Sequence, residues 1–66
     1  MHIVLNGEPR EVNAALTVAD LVDALALGPG KRAIECNGQI VPVSRYPDHR
    51  LGEGDVVEII QAVGGG

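Results

Sequence analysis

The chain has 66 residues, a formal net charge of -4 with only 5 Lys and Arg, and a single cysteine. A chain of this length forms one small domain that buries about 60% of its unfolded surface, so it has little room for a deep substrate cleft. The acidic charge argues against nucleic-acid binding, which needs a basic surface, and fits a protein that docks on other proteins.

The composition and the first residues predict a cytoplasmic protein. A single cysteine cannot form an internal disulfide, which suits a reducing compartment. The segment from Met1 to Gly7 lacks the basic region, the apolar stretch and the cleavage site of a signal peptide. No apolar run approaches the ~20 residues that a membrane helix needs, so we expect no membrane association.

The chain begins with a predicted β-hairpin. His2–Asn6 is rich in β-forming residues, and Asn6-Gly7 is a strong signal for a two-residue hairpin turn. Arg10–Asn13 is the predicted return strand. Pro9 at its start is tolerable on the edge of a sheet, where no partner needs its missing N–H.

A helix follows the hairpin. Thr17 is the predicted N-cap, and Asp20 stands at the capping-box position three residues later. Gly28 and Pro29 are expected to end the helix. Four apolar residues recur with the spacing of one helical face: Val18, Leu21, Val22 and Leu25.

Three more strands are predicted in the second half of the chain. Ala33–Cys36 and Gln39–Val41 are joined by Asn37-Gly38, a second hairpin signal. Ser44–Arg50 is polar and irregular, with room for one helical turn. Val56–Val63 is the longest and most apolar strand.

This order of elements predicts an α+β fold with a sheet packed against one helix. The helix is apolar on one side only, so it covers one face of the sheet. Because the first and last strands are the most apolar, we expect them in the interior of the sheet, as parallel neighbours.

The last strand is predicted to carry a surface for partner proteins on the face without the helix. Glu58 is charged and must face solvent, and alternation along the strand places Val57 and Ile59 on the helix side. Exposed apolar patches on small proteins often mark partner surfaces, although a short sheet also exposes some Val and Ile without function. The predicted partner-binding residues are Val4, Val56, Glu58, Ile60 and Ala62.

Three glycines, Gly64, Gly65 and Gly66, stand after this strand. We predict a folded domain over residues 1–63 and a flexible tail over residues 64–66. Glycine carries no side chain, so the tail forms a thin thread that reaches about 10 Å from the strand into a narrow active site. The alternative is a frayed end without function.

Other candidates for chemistry are weaker. Cys36 shares strand alternation with a core residue and is expected to be buried and unreactive. His2 and His49 lie far apart in sequence and lack the convergent ligands that a zinc site needs, so no metal is expected. A triad of Ser44, His49 and Asp48 lacks a nucleophile elbow and an oxyanion hole.

The order of elements resembles the β-grasp arrangement of ubiquitin-like proteins, in which a mixed sheet of four to five strands packs on one main helix. The segment Asn37–Pro42, the polar stretch around Tyr46 and the stretch Gly54–Gly66 are similar to the ThiS family, the sulfur carrier proteins of thiamine biosynthesis. The resemblance covers essentially the whole chain.

We expect a monomer, and the resemblance implies a carrier rather than an enzyme. An E1-like adenylyltransferase would activate the Gly66 carboxylate with ATP, and Gly64 and Gly65 would give the tail access to that enzyme. A persulfide donor, such as that of a cysteine desulfurase, would supply sulfur, and thiazole synthase would accept it from the thiocarboxylate. This chain itself would bind no cofactor.

Three alternatives remain open. The chain could be a molybdopterin-type carrier, a ubiquitin-like tag that is conjugated to lysines, or an adaptor that uses only its surface. The carrier and the tag differ in the final nucleophile, which is sulfur for the first and an amine for the second.

Overall fold

The computed structural model describes residues 1–28 and 30–61. Within these ranges the chain forms a five-stranded mixed sheet with one α-helix on one of its faces. This is the α+β architecture expected from the order of elements. The elements are β1 (His2–Leu5), β2 (Glu8–Glu11), α1 (Val18–Leu25), β3 (Arg32–Cys36), β4 (Gln39–Ile40), a 3-10 turn (Val43–Arg45) and β5 (Val56–Gln61).

Strand β5 lies at the centre of the sheet, whose order is β2-β1-β5-β3-β4. Strand β1 runs parallel to β5, with Leu5 opposite Val57. Strand β3 runs antiparallel to β5 along its whole length, from Arg32 opposite Gln61 to Cys36 opposite Val57. The prediction that the first and last strands are interior, parallel neighbours is confirmed.

Two Asn-Gly turns set the registers of the two hairpins. Asn6 and Asn37 have φ angles of 50° and 53°, and the glycines that follow them have φ angles of 83° and 84°. Positive φ at both central residues is the type I′ conformation, whose twist matches that of the flanking strands. Both predicted hairpins are confirmed.

The return strand of the first hairpin was predicted too late in the sequence. It spans Glu8–Glu11 rather than Arg10–Asn13, because a two-residue turn places Glu8 directly opposite Leu5. Pro9 therefore lies inside the strand, opposite Val4. The sheet tolerates it because β2 is an edge strand.

The start of α1 matches the prediction in detail. The Asp20 N–H donates to the Thr17 hydroxyl at 3.0 Å, and the Thr17 N–H donates to the Asp20 carboxylate at 3.1 Å. Each residue thus satisfies an N–H that the helix leaves without a partner, which is the reciprocal pattern of a capping box. Aspartate replaces the more usual glutamate without loss of either bond.

The helix ends earlier than the predicted stop at Gly28 and Pro29. Its last residue is Leu25, and Ala26 adopts the left-handed conformation with its N–H donating to the Asp23 carbonyl. That bond spans three residues instead of four, which tightens the final turn and ends the helix.

Within the described ranges no helix has the length and apolar character needed to cross a bilayer.

The core lies between α1 and the sheet. The predicted apolar face of α1 and the predicted helix side of β5 are buried or pack against the buried set, and residues of β1, together with Val41 and Leu51, join them. The buried residues are Ile3, Leu5, Val18, Leu21, Ile34, Cys36, Val41, Leu51 and Val57. Buried apolar side chains thus come from every strand except β2 and β4.

We expect Thr17→Ala to lower the free energy of unfolding by about 1 kcal/mol, because it leaves the Asp20 N–H without its partner. Urea unfolding followed by circular dichroism measures this loss. Thr17→Ser keeps the hydroxyl and is the matched control. Equal stability of the Ala and Ser variants would show that the cap contributes nothing.

Candidate functional site

The face of the sheet opposite α1, which we call the open face, carries most of the residues predicted to bind partners. Along β5, Val57 is buried and Ile59 packs against the core, whereas Val56, Glu58 and Ile60 are exposed. Val56 keeps 43% and Ile60 keeps 54% of its surface accessible. The predicted alternation along β5 is confirmed, and the binding role of these residues stays a prediction.

The residues of the predicted patch are spread along β5 and its neighbour β1. Val4 is half-buried and lies opposite Val56, not beside Ile60. Val56 and Ile60 stand four positions apart on β5, which is about 13 Å by strand geometry. Ala62 lies outside the described residues.

Two further residues of the open face were missed from the sequence. Glu35 lies directly opposite Glu58 on β5, and Ile40 of β4 lies opposite Glu35. Ile40 is 60% exposed. Strand alternation could have found Glu35, because it stands between two residues that face the core.

The side chain of Asn6 holds β5 from the β1 side. Strand β1 ends at Leu5, yet the Asn6 N–H donates to the Val57 carbonyl at 2.9 Å, and the Asn6 side-chain oxygen accepts the Ile59 N–H at 2.8 Å. The side chain thereby continues the hydrogen-bond ladder where the backbone turns away.

Asn37 holds the start of β5 from the other side. Its side-chain oxygen accepts the Val56 N–H at 2.9 Å, and its amide donates to the Asp55 carboxylate at 3.1 Å. Asp55 also accepts the Gly52 N–H at 2.7 Å. The hydrogen bond from Gly52 is the main reason that the pKa of Asp55 lies below its usual value.

The described chain stops at the end of β5. Gln61 lies opposite Arg32, whose guanidinium donates to the Gly28 carbonyl and so ties the loop after α1 to the sheet. Lys31 and Ile60 line a shallow pocket beside this end. The predicted tail residues Gly64, Gly65 and Gly66, and with them the predicted site of sulfur attachment, lie outside the described residues.

Cys36 is buried, as predicted from its alternation with Ile34. Burial raises the pKa of the Cys36 thiol, and the neighbouring Asp55 carboxylate, whose Oδ2 lies 3.7 Å from Sγ, raises it further. Arg45 and His49 line the same pocket as Cys36, yet the pKa of the thiol remains raised. A thiol that stays protonated is a poor nucleophile.

The histidines do not assemble a reactive centre. His2 Nδ1 lies 3.8 Å from the Glu53 carboxylate on the surface. The backbone N–H of His49 donates to the Arg45 carbonyl. Among residues 1–28 and 30–61, no three potential metal ligands converge, and no side-chain hydrogen bond joins Ser44, Asp48 and His49.

Comparison with known families identifies the chain. The model of the ThiS family matches residues 3–66. The sulfur carrier protein ThiS of Escherichia coli is 30% identical over 66 residues, which is the whole of both chains. The chain belongs to the ThiS family.

Solved structures agree with this assignment. The crystal structure of the thiamine biosynthesis protein ThiS from Geobacter metallireducens superposes with a TM-score of 0.86 at 29% identity, over the whole of both chains. The resemblance to the ThiS family and the expected β-grasp fold are therefore confirmed.

Two longer relatives are thiazole synthases. That of Paramagnetospirillum magneticum is 41% identical and that of Magnetococcus marinus is 38% identical, each over 66 residues. The chain spans only 20% of the length of either relative.

We expect Cys36→Ala to fold and to lose about 1 kcal/mol of unfolding free energy through lost packing. Folding raises the pKa of the Cys36 thiol above the ordinary value of 9.0 that it has in the unfolded chain. Above that pH the unfolded thiol ionises more readily than the folded one, so the free energy of unfolding that Cys36 contributes is complete below pH 9.0 and falls as the pH rises further. Urea titrations at several pH values should show the gap between wild type and variant narrowing above that pH. A stability difference that widens above that pH would contradict a buried, protonated Cys36.

Proposed function

We propose that this chain is the sulfur carrier of thiazole formation in thiamine biosynthesis and that the Gly66 carboxylate carries the sulfur. The observation that supports this most is the match to the ThiS family over residues 3–66, which includes the three glycines. In this proposal the chain is a protein substrate in the cytoplasm and not an enzyme.

The chemistry requires activation of the tail by another protein. A carboxylate is a poor electrophile, so an E1-like adenylyltransferase would join it to the AMP unit of ATP and release pyrophosphate. The terminal sulfur of a donor persulfide would then attack the acyl carbon and expel AMP. Cleavage of the resulting S–S bond by a thiol would leave the thiocarboxylate. Glycine at positions 64–66 keeps both faces of the carbonyl accessible.

Thiazole synthase is the proposed sulfur acceptor. The two thiazole synthase relatives contain a segment similar to this whole chain, which supports a partnership between the carrier and that enzyme. When the two parts belong to separate chains, their association depends on a docking surface on the carrier.

The open face is the proposed docking surface for the adenylyltransferase. It exposes apolar side chains on β5, and in the sequence only two residues separate the end of this strand from the glycines. A partner that binds the open face is therefore positioned to receive the tail. Hydrogen bonds to Asn6 and Asn37 hold β5 from both sides, so the exposed residues of this strand keep a fixed position in the sheet.

We expect the mass of the intact protein to rise by the difference between sulfur and oxygen after incubation with the adenylyltransferase, ATP and a persulfide donor. Tandem mass spectrometry should place the sulfur on Gly66. Cys36→Ala should show the same increase, because its thiol is buried and protonated.

Deletion of Gly65 and Gly66 is the matched negative control and should abolish adenylation while leaving the thermal melt unchanged. Sulfur found on Cys36 would overturn the proposed function. Conjugation to lysines without thiocarboxylate formation would identify the chain as a protein tag instead.

We expect Ile60→Asp to melt as wild type does and to weaken binding to the adenylyltransferase by about tenfold or more, because it places a charge in an apolar contact. Isothermal titration calorimetry beside a thermal melt measures both effects. Val43→Asp is the matched control, since Val43 is 70% exposed on the 3-10 turn away from β5. Normal binding by Ile60→Asp would remove Ile60 from the docking surface.

A further inference from the structure

Two glutamates occupy directly opposed positions at the centre of the open face. Glu35 of β3 lies directly opposite Glu58 of β5 in antiparallel register. Directly opposed residues have Cβ atoms about 5 Å apart, and like charges at such positions destabilise a sheet. The register between β3 and β5 therefore places two like charges side by side.

No described residue compensates this repulsion. Within residues 1–28 and 30–61 no lysine or arginine lies within ion-pair distance of Glu35 or Glu58, and neither glutamate side chain receives a hydrogen bond. Glu35 as a whole residue is half-buried, and Glu58 is exposed. A cross-strand pair of charged residues stabilises a sheet when the charges are opposite, and here both are negative.

Apolar side chains surround the pair on the same face. Val56 and Ile60 stand two residues before and after Glu58 along β5, and Ile40 lies beside Glu35 on β4. All three are exposed. A partner that covers these apolar residues would also remove the two carboxylates from water, which is costly unless it supplies a positive charge.

We propose that Glu35 and Glu58 together receive an arginine side chain of the adenylyltransferase, and that this contact selects the partner that binds the open face. The inference rests on the proposed function and names the chemistry by which its docking surface recognises the partner. A guanidinium offers five N–H donors in a planar fork and can bridge two neighbouring carboxylates, which a lysine ammonium does less well.

Other occupants fit this face less well. A second copy of the chain packed around the same pair would bring four carboxylates together, on a protein that already carries a net charge of -4. A divalent cation such as Ca²⁺ takes six to eight oxygen ligands, and among the described residues no third histidine, cysteine or carboxylate joins the pair. The combination of an acidic centre and an apolar surround is complementary to an arginine set among apolar residues.

The test compares binding and stability in the same variants. Glu35→Gln and Glu58→Gln are titrated with the adenylyltransferase from the same genome by isothermal titration calorimetry, at low and at high salt, and each is melted alone. We expect each variant to bind about tenfold more weakly at low salt and to melt at or above the wild-type temperature. Asp23→Asn, on the helix side of the sheet, removes one charge of the same sign and should bind as wild type does.

A charge reversal sharpens the test. Glu58→Lys should pair with Glu35 across the strands, raise the melting temperature and weaken binding more than Glu58→Gln does. Binding by the Gln variants within twofold of wild type would overturn the inference, as would a loss of binding accompanied by a lower melting temperature. If those variants bind normally while wild type still acquires sulfur on Gly66, the proposed function stands and only this inference fails.

Discussion

Every part of this domain depends on the insertion of β5 between β1 and β3. Strand β5 supplies the buried Val57 to the core and pairs with a parallel neighbour on one side and an antiparallel neighbour on the other. Two asparagine side chains complete its hydrogen bonding where the neighbouring backbones turn away. Asn6 accepts the N–H of Ile59, and Asn37 accepts the N–H of Val56. In each Asn-Gly turn the asparagine thus helps to form the turn and also hydrogen-bonds to the central strand.

The open face follows from the size of the domain. One helix of eight residues can cover one face of the sheet and no more. The opposite face stays in contact with water, and its strands still need β-forming side chains such as Val and Ile. Apolar residues therefore stay exposed on the uncovered face, and the opposed glutamates at its centre add negative charge to it.

Local signals in the sequence predicted the elements of this fold well. The Asn-Gly dipeptides, the capping box at Thr17 and the period-two pattern of β5 each depend on neighbouring residues alone, and each is confirmed. The predicted ends of β2 and α1 were wrong because turn and cap signals do not by themselves fix where an element begins or ends. The helix stops at Leu25 because Ala26 turns left-handed, although no glycine stands there.

The site was harder to predict because it depends on contacts between distant strands. Val4 lies beside Val56 rather than Ile60 because of the register between β1 and β5, which the sequence does not specify. The opposition of Glu35 and Glu58 depends in the same way on the register between β3 and β5. Alternation shows which face a residue occupies, and only the register shows which residues meet there.

The pairing of β1 with β5 also affects how the protein is made. These strands stand more than 50 residues apart, as the hydrogen bond from Ile59 to Asn6 shows, so the centre of the sheet closes a long loop of chain. During synthesis the sheet cannot close until β5 has left the ribosome. A chain interrupted before β5 lacks the central strand of the sheet and with it the exposed Val56, Glu58 and Ile60, so it cannot form the open face.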